Sequence, residues 1–195
     1  QRVGIFIDVQ NLYHSAKNLY HGRVNYSELM KYLVGERQLI RAVAYVVKSE
    51  GVESPRMEGA RPARFGEDDR RTSEAAFFEA LEKTGIELRV KDLQVYPGGL
   101  KKADWDVGMA VDAIRLGRKV DAVVLASGDG DFIPLIEYLR QVEGVQTEVI
   151  SFGRSTSGKL KEAVDDFTDL DENPKKYLLR RARSGGELSR MPSER

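Results

Sequence analysis

Residues 120–131 read VDAVVLASGDGD. Val120 to Ala126 is an almost continuous apolar run, and a strand that is apolar on both faces belongs inside a parallel sheet covered by helices on both sides. The run ends in Ser127 to Asp131, where two glycines alternate with two carboxylates. That pattern predicts the loop leaving the carboxyl end of a central strand, with a helix over Phe132 to Val142 after it.

Outward from this stretch the same alternation of strand and helix continues. On the N-terminal side, Asp104 to Leu116 predicts a nearly all-apolar helix, expected to be buried on several sides. Ile86 to Val90 predicts a strand, with Leu93 to Tyr96 an extension or edge piece and Pro97 to Lys102 a turn and basic loop. Thr72 to Lys83 carries Ala76, Phe77, Ala80 and Leu81 on one side of a helix, stopped by Thr84 and Gly85. Ser49 to Arg71 contains Pro55, Pro62 and many charges and reads as a long exposed loop. Leu39 to Lys48 is a strand, Ser27 to Leu33 a helix capped by Ser27, Asn11 to Tyr20 a short helix or turn, and Val3 to Ile7 the first strand. On the C-terminal side, Val145 to Ser151 is a fifth strand and Lys159 to Val164 a short terminal helix. The expected fold is therefore α/β, a Rossmann-like three-layer arrangement around a mostly parallel sheet of about five strands. Residues 1–170 form the domain. Residues 171–195, with KK and RRAR followed by Gly, Ser and Pro, read as a basic, flexible tail.

Composition narrows the chemistry. There is no cysteine, which removes disulfides, thiolate metal sites and a cysteine nucleophile. Lys plus Arg equals Asp plus Glu, 31 against 31. Net charge therefore does not point to a polyanion, but distribution matters more than the sum. No apolar run approaches the roughly 18–20 residues of a membrane span, and no basic-then-apolar leader opens the sequence. A cytoplasmic location and no membrane partner fit these features. A homodimer is compatible with the sequence and not derivable from it.

In open parallel sheets, ligands bind beyond the carboxyl ends of the strands. The first strand ends in Asp8, within FIDVQN, and the central strand ends in SGDGD, supplying Asp129 and Asp131. Both strands are expected to be central, so these acids share one edge. Asn11 follows Asp8 by three residues, about one helical turn. Asp106 lies near the start of the apolar helix, where an unpaired carboxylate is costly and needs a partner or a metal. Carboxylates converging on a small volume push one another towards protonation unless a cation neutralises them. Asp and Asn oxygens without His or Cys suit a hard cation, Mg²⁺ or Mn²⁺. Such an ion lowers the pKa of water and stabilises charge on a phosphodiester oxygen.

FIDVQN, KKADWDVGMAVDA and VLASGDGDFIPLI, in that order, resemble the NYN domain of the PIN-like nuclease superfamily, and its LabA-like branch most closely. The resemblance spans roughly Val3 to Phe167. It implies a PIN-like fold and a Mg²⁺- or Mn²⁺-dependent ribonuclease acting on RNA. Asp8, Asn11, Asp106, Asp129 and Asp131 map onto the acidic pocket, with Asp8, Asp106, Asp129 and Asp131 holding the metal. The chain departs from the family pattern after Lys102, where Ala103, Asp104 and Trp105 stand in place of a glycine. Asp104 is thus either a helix cap or a partner of Asp106. Asp112, about 240° round the helix from Asp106, is a secondary candidate.

Each residue also has a structural reading. Asp8 can open an Asx turn, Asn11 and one of Asp129 and Asp131 can cap helices, and Ser127 can close a turn or bond a phosphate. Trp105 reads as core or rim packing. His14 and His21 read as exposed. Lys101 and Lys102 are the candidate phosphate contacts, since an acidic pocket for a polyanion needs positive charge around it. A second reading keeps the fold and drops catalysis, giving an RNA-binding or regulatory interaction module. A third, a haloacid-dehalogenase-like phosphatase, needs a second Asp two residues after Asp8, where Gln10 stands. A dinucleotide-binding Rossmann domain needs GxGxxG after the first strand, which is missing.

Overall fold

A computed structural model describes residues 1–48, 67–92, 94–95, 101–102 and 104–179. In chain order the elements are β1 (Arg2–Asp8), α1 (Val9–Tyr20), α2 (Tyr26–Val34), β2 (Gln38–Lys48), α3 (Glu67–Glu82), β3 (Glu87–Asp92), β4 (Gln94–Val95), β5 (Lys101–Lys102), α4 (Asp106–Gly117), β6 (Ala122–Ala126), α5 (Ile133–Gln141), β7 (Gln146–Ser151), α6 (Gly158–Ala163), β8 (Asp166–Asp169) and α7 (Pro174–Tyr177). Six strands form one sheet in the order β3-β2-β1-β6-β7-β8, and every pairing in it is parallel.

Alternation along each strand divides the core into two layers. Ile5 and Ile7 point to one face, where they meet Leu12 and Ala16 of α1, Leu29 and Leu33 of α2 and Leu81 of α3. Phe6 points to the other, with Met109 and Ala113 of α4 and Leu135, Ile136 and Leu139 of α5. The sheet is thus the middle of three layers. Every residue of β6 is buried, and burying each of its valines and its leucine contributes about 1.5–3 kcal/mol. Gly4 lets α4 approach β1: a Cβ there would lie 2.6 Å from Leu116 Cδ2.

The expected PIN-like α/β fold is the fold observed, with six strands instead of about five. The added strand, β8, reads DFTD and pairs with β7 at the sheet edge. With a single apolar residue, Phe167, and no residue fully buried, it carries no strand signal. α1 is a full twelve-residue helix capped by Asp8. α2 is capped by Asn25, not Ser27: the Glu28 N–H donates to Asn25 Oδ1. α3 begins at Glu67, so residues 67–71 are helical where a loop was expected, because acids such as Glu67, Asp68 and Asp69 suit the first turn of a helix without contributing an apolar stripe. The remainder of that expected loop, residues 49–66, lies outside the described residues. α4 is not buried on several sides, since Val107 is 75% and Val111 40% exposed. Gly85 ends the turn after α3 with φ 81°. Lys101 and Lys102 form a short strand pairing with β4 in a separate two-stranded sheet.

Residues 171–179, expected in the tail, are docked. Tyr177 is buried in the first core layer, its carbonyl accepts the Asn25 N–H at 2.8 Å, and Leu178 bridges to Val24. Residues 180–195, with the RRAR run, lie outside the described residues. No described helix is long and apolar enough to cross a membrane.

Candidate active site

The register of the sheet builds the site. Ile7 of β1 stands opposite Ala126 of β6, so the next residue of each strand, Asp8 and Ser127, emerges side by side at the carboxyl edge. The Ser127 hydroxyl donates to Asp8 Oδ2 at 3.1 Å. The other carboxylate oxygen, Oδ1, accepts the Asn11 N–H at 3.0 Å and caps α1. Each oxygen keeps a further lone pair.

Asn11, one turn into α1, reaches across to the second loop. Its Oδ1 accepts the Gly128 N–H at 2.9 Å. Gly128 is there because the loop lies against Ser155 and Thr156: a Cβ would sit 3.0 Å from the Ser155 carbonyl and 3.1 Å from Thr156 Cα. Asp129 then caps the turn that follows, accepting the Asp131 N–H on Oδ1 at 3.0 Å. The Asp129 N–H in turn donates to Ser127 Oγ at 3.3 Å.

The third contribution is α4, which runs antiparallel to the strands and so begins at their carboxyl edge. It starts at Asp106. Trp105 before it donates its indole N–H to the Val46 carbonyl at 2.9 Å, which anchors the start of α4 to β2. Oxygens of Asp106, Asp129 and Asp131 all lie within 4.8 Å of one another. Asp8, Gln10, Asn11, Tyr45, Asp104, Trp105, Asp106 and Asp129 line a cleft of about 190 Å³.

The electrostatics follow from this crowding. Burial raises the Asp106 carboxyl above its ordinary value, and the charges of Asp104, Asp129, Asp8 and Asp131 raise it further. Burial also raises Asp8, against the lowering effect of the bonds from Asn11 and Ser127. Among the described residues, no buried side-chain nitrogen or oxygen lacks a hydrogen-bond partner. The tension in the site is therefore one of charge and not of unmade hydrogen bonds. That tension is what a cation relieves. The trio offers oxygen donors only, as Mg²⁺ and Mn²⁺ prefer, and the three are near enough to one another to share one ion. The residues present fit such an ion.

The five expected pocket residues, Asp8, Asn11, Asp106, Asp129 and Asp131, come together, with Asp8 beside the trio of acids. Ser127 is fully buried under Asp8. Asp104 lines the cleft but is not the helix cap; Trp105 occupies that position without a side-chain bond. Asp112 is turned away: it accepts the Tyr45 hydroxyl at 2.9 Å and lies 3.5 Å from Arg89 Nε. The side chains of Lys101 and Lys102 are outside the described residues. Trp105 packs on the rim, as expected, edge-on to Tyr45 with centroids 5.5 Å apart. Sequence reasoning missed Gln10 and Tyr45 as walls of the cleft. Tyr45 stands opposite Asp8 in the β1–β2 register, a relationship that only the pairing of the strands reveals.

A parallel sheet between two helical layers, with acids gathered at the carboxyl edge of its two central strands, defines a PIN-like fold of the nuclease type. The family model of the NYN domain matches residues 2–171, and the chain belongs to that family. It is 29% identical over 102 residues to "Low amplitude and bright protein LabA" of Synechococcus elongatus. That match covers 49% of this chain and 54% of the relative, so the chain spans about half the length of the curated protein it matches. A crystal structure of a protein of unknown function from Vibrio parahaemolyticus has the same fold, with a TM-score of 0.74 and 28% identity over 92% of this chain and 96% of that one.

Proposed function

We propose that this protein is a ribonuclease that hydrolyses RNA phosphodiester bonds at the acidic cleft with Mg²⁺ or Mn²⁺. The observation that carries the reading is the convergence of Asp106, Asp129 and Asp131 from two separate elements to within 4.8 Å, at a place where burial and the neighbouring acids already disfavour the charge of Asp106. When bound, the cation supplies charge that offsets the phosphate's and lowers the pKa of water.

The protein's own groups then have distinct tasks. Asp106, Asp129 and Asp131 hold the ion, and Asp8 completes the acidic edge beside them. The Asn11 carbonyl is committed to Gly128, so only its amide N–H donors serve a phosphate oxygen or water. The Ser127 hydroxyl gives its proton to Asp8 and accepts from Asp129; its part is to brace the two acid-bearing strands, and a phosphate contact requires it to exchange one of these bonds. Lys101 and Lys102, just before Asp104 in the chain, supply positive charge for the RNA backbone.

The test is incubation of purified protein with RNA in Mg²⁺, in Mn²⁺ and in chelator, beside Asp129→Asn. Metal-dependent cleavage that disappears in the folded variant supports the assignment. Cleavage that persists in Asp129→Asn and in Asp106→Asn removes it. A folded protein that cleaves nothing but binds RNA is the non-catalytic module instead.

A further inference from the structure

The exposed face of α1 begins in the cleft. Gln10 lines it, and Tyr13, His14 and Lys17 follow at i+3, i+4 and i+7, one continuous stripe on a helix. From Gln10 to Lys17 the stripe runs about 10 Å along the helix axis. The opposite side of the helix is committed to the core through Val9, Leu12 and Ala16.

The stripe has the composition of a nucleic-acid platform. Tyr13 is 43% exposed. Lys17 Nζ lies 5.6 Å from its ring centroid, and the His14 ring meets it edge-on at 5.4 Å. The tyrosine is thus flanked by its two neighbours on the stripe. α1 carries no Asp or Glu. Every other described helix longer than a single turn does, although acids and bases are equal in number over the whole chain. A merely solvated face would be expected to carry both signs.

The geometry points to this α1 stripe as the seat of the single-stranded RNA segment that flanks the bond placed in the cleft. The assignment rests on the ribonuclease reading above. An unpaired base stacks on Tyr13, and Lys17 meets the adjoining phosphate. Stacking of this kind needs an open base face, which a duplex withholds. The charge of the stripe complements a polyanion and repels the chain's own basic C-terminal residues, so the occupant is a nucleic acid strand and not that segment. Its continuity with the cleft places the strand where the acids can act on it.

The experiment measures binding of a labelled single-stranded RNA, and of the same RNA annealed as a duplex, to Asp129→Asn protein, which holds the RNA uncut. Adding Tyr13→Ala or Lys17→Glu to that background weakens single-strand binding about tenfold, and Lys17→Glu lowers the salt dependence by about one phosphate contact. Tyr13→Phe, which keeps the ring, retains binding. Lys119→Glu, at the opposite edge of the sheet, also retains it. Both stripe residues are exposed, so melting temperatures stay within error of the parent. Unchanged binding in Tyr13→Ala and Lys17→Glu, or equal losses for strand and duplex, overturns the stripe while leaving cleavage by the parent intact. A parent that neither cleaves nor binds RNA removes the functional reading and the stripe together, as does preference for an acidic peptide over RNA.

Discussion

Asn11 of the first helix and Gly128 of the loop after β6 are joined by a hydrogen bond of 2.9 Å, although they are 117 residues apart in the chain. Through it, α1 holds the backbone from which Asp129 and Asp131 project. Asn11→Ala leaves the buried Gly128 N–H without its partner, at a cost of about 1–3 kcal/mol. The expected result is a lower melting temperature together with a loss of metal affinity, because the loop that carries two of the three acids loosens. Asn11→Asp restores the acceptor and recovers part of the stability while adding charge to the cleft. Thermal unfolding of the two variants separates these contributions; identical melting of Asn11→Ala and the parent would contradict the brace.

On the proposed function, the crowded acids make a bound ion a stabiliser. At a hundredfold excess over its Kd, an ion that binds only the folded state adds about 2.7 kcal/mol, a rise of roughly 5–10 °C for a domain of this size. Mg²⁺ or Mn²⁺ should raise the melting temperature of the parent by that order. Asp106→Asn should melt higher than the parent in chelator, since it removes a repelled charge, and gain little from either ion. Scanning fluorimetry with and without chelator reads both effects, and a variant that still gains the full increment would exclude Asp106 as a ligand.

The pH dependence has a defined sign. Burial and neighbouring acids hold Asp106 above its ordinary value, so the folded state binds that proton more readily than the unfolded state. Its favourable contribution is complete below the ordinary carboxylate range and is lost as pH rises through the raised value. In chelator, the parent and Asp106→Asn should therefore converge in stability in acid and separate as pH rises from about 4 to 7. Asp165 behaves oppositely: burial pushes it up, but bonds from the Thr147 N–H and hydroxyl, and from Arg140, outweigh burial and hold it low. Its contribution is present above the ordinary range and is lost as pH falls through the lowered value. Asp165→Asn should cost stability at neutral pH and progressively less in acid. A pH-independent difference for either variant would refute its assignment.

Trp105 is the only tryptophan, and it lines the cleft next to Asp106. Its intrinsic emission should change on addition of Mn²⁺, and the change should vanish in Asp106→Asn. Trp105→Phe removes the donor to the Val46 carbonyl and should cost about 1 kcal/mol, with the start of α4 less firmly set. Emission that ignores the ion at saturating concentrations would argue that metal does not bind near α4.

The parts of this structure that the sequence announced are those with redundant signals. β1, β2 and β6 are dense apolar runs, and the acids at the ends of β1 and β6 follow from the rule for open sheets. β8 was illegible because its four residues carry a single apolar side chain, Phe167, and its place is fixed by pairing with β7. The first turn of α3 was hidden because Glu67 to Arg71 show helix-forming residues without periodicity. In the site, Asp106 was legible as an acid at the start of an apolar helix. The roles of Tyr45 and of Asp112 were not: one depends on strand register and the other on Arg89 from a third element.

The pairing of β1 directly with β6 has a consequence for how the protein comes into being. Asp8 is made well before its neighbour Ser127, which lies 119 residues later, and Asp106, Asp129 and Asp131 also follow it in the chain. Until β6 emerges and inserts beside β1, the growing chain has an open sheet edge and an isolated carboxylate. Long-range parallel pairing of this kind is slow to form. A chain that ends before β6 therefore lacks Ser127, Asp129 and Asp131 and cannot assemble the acidic cleft, however well its first three strands pair.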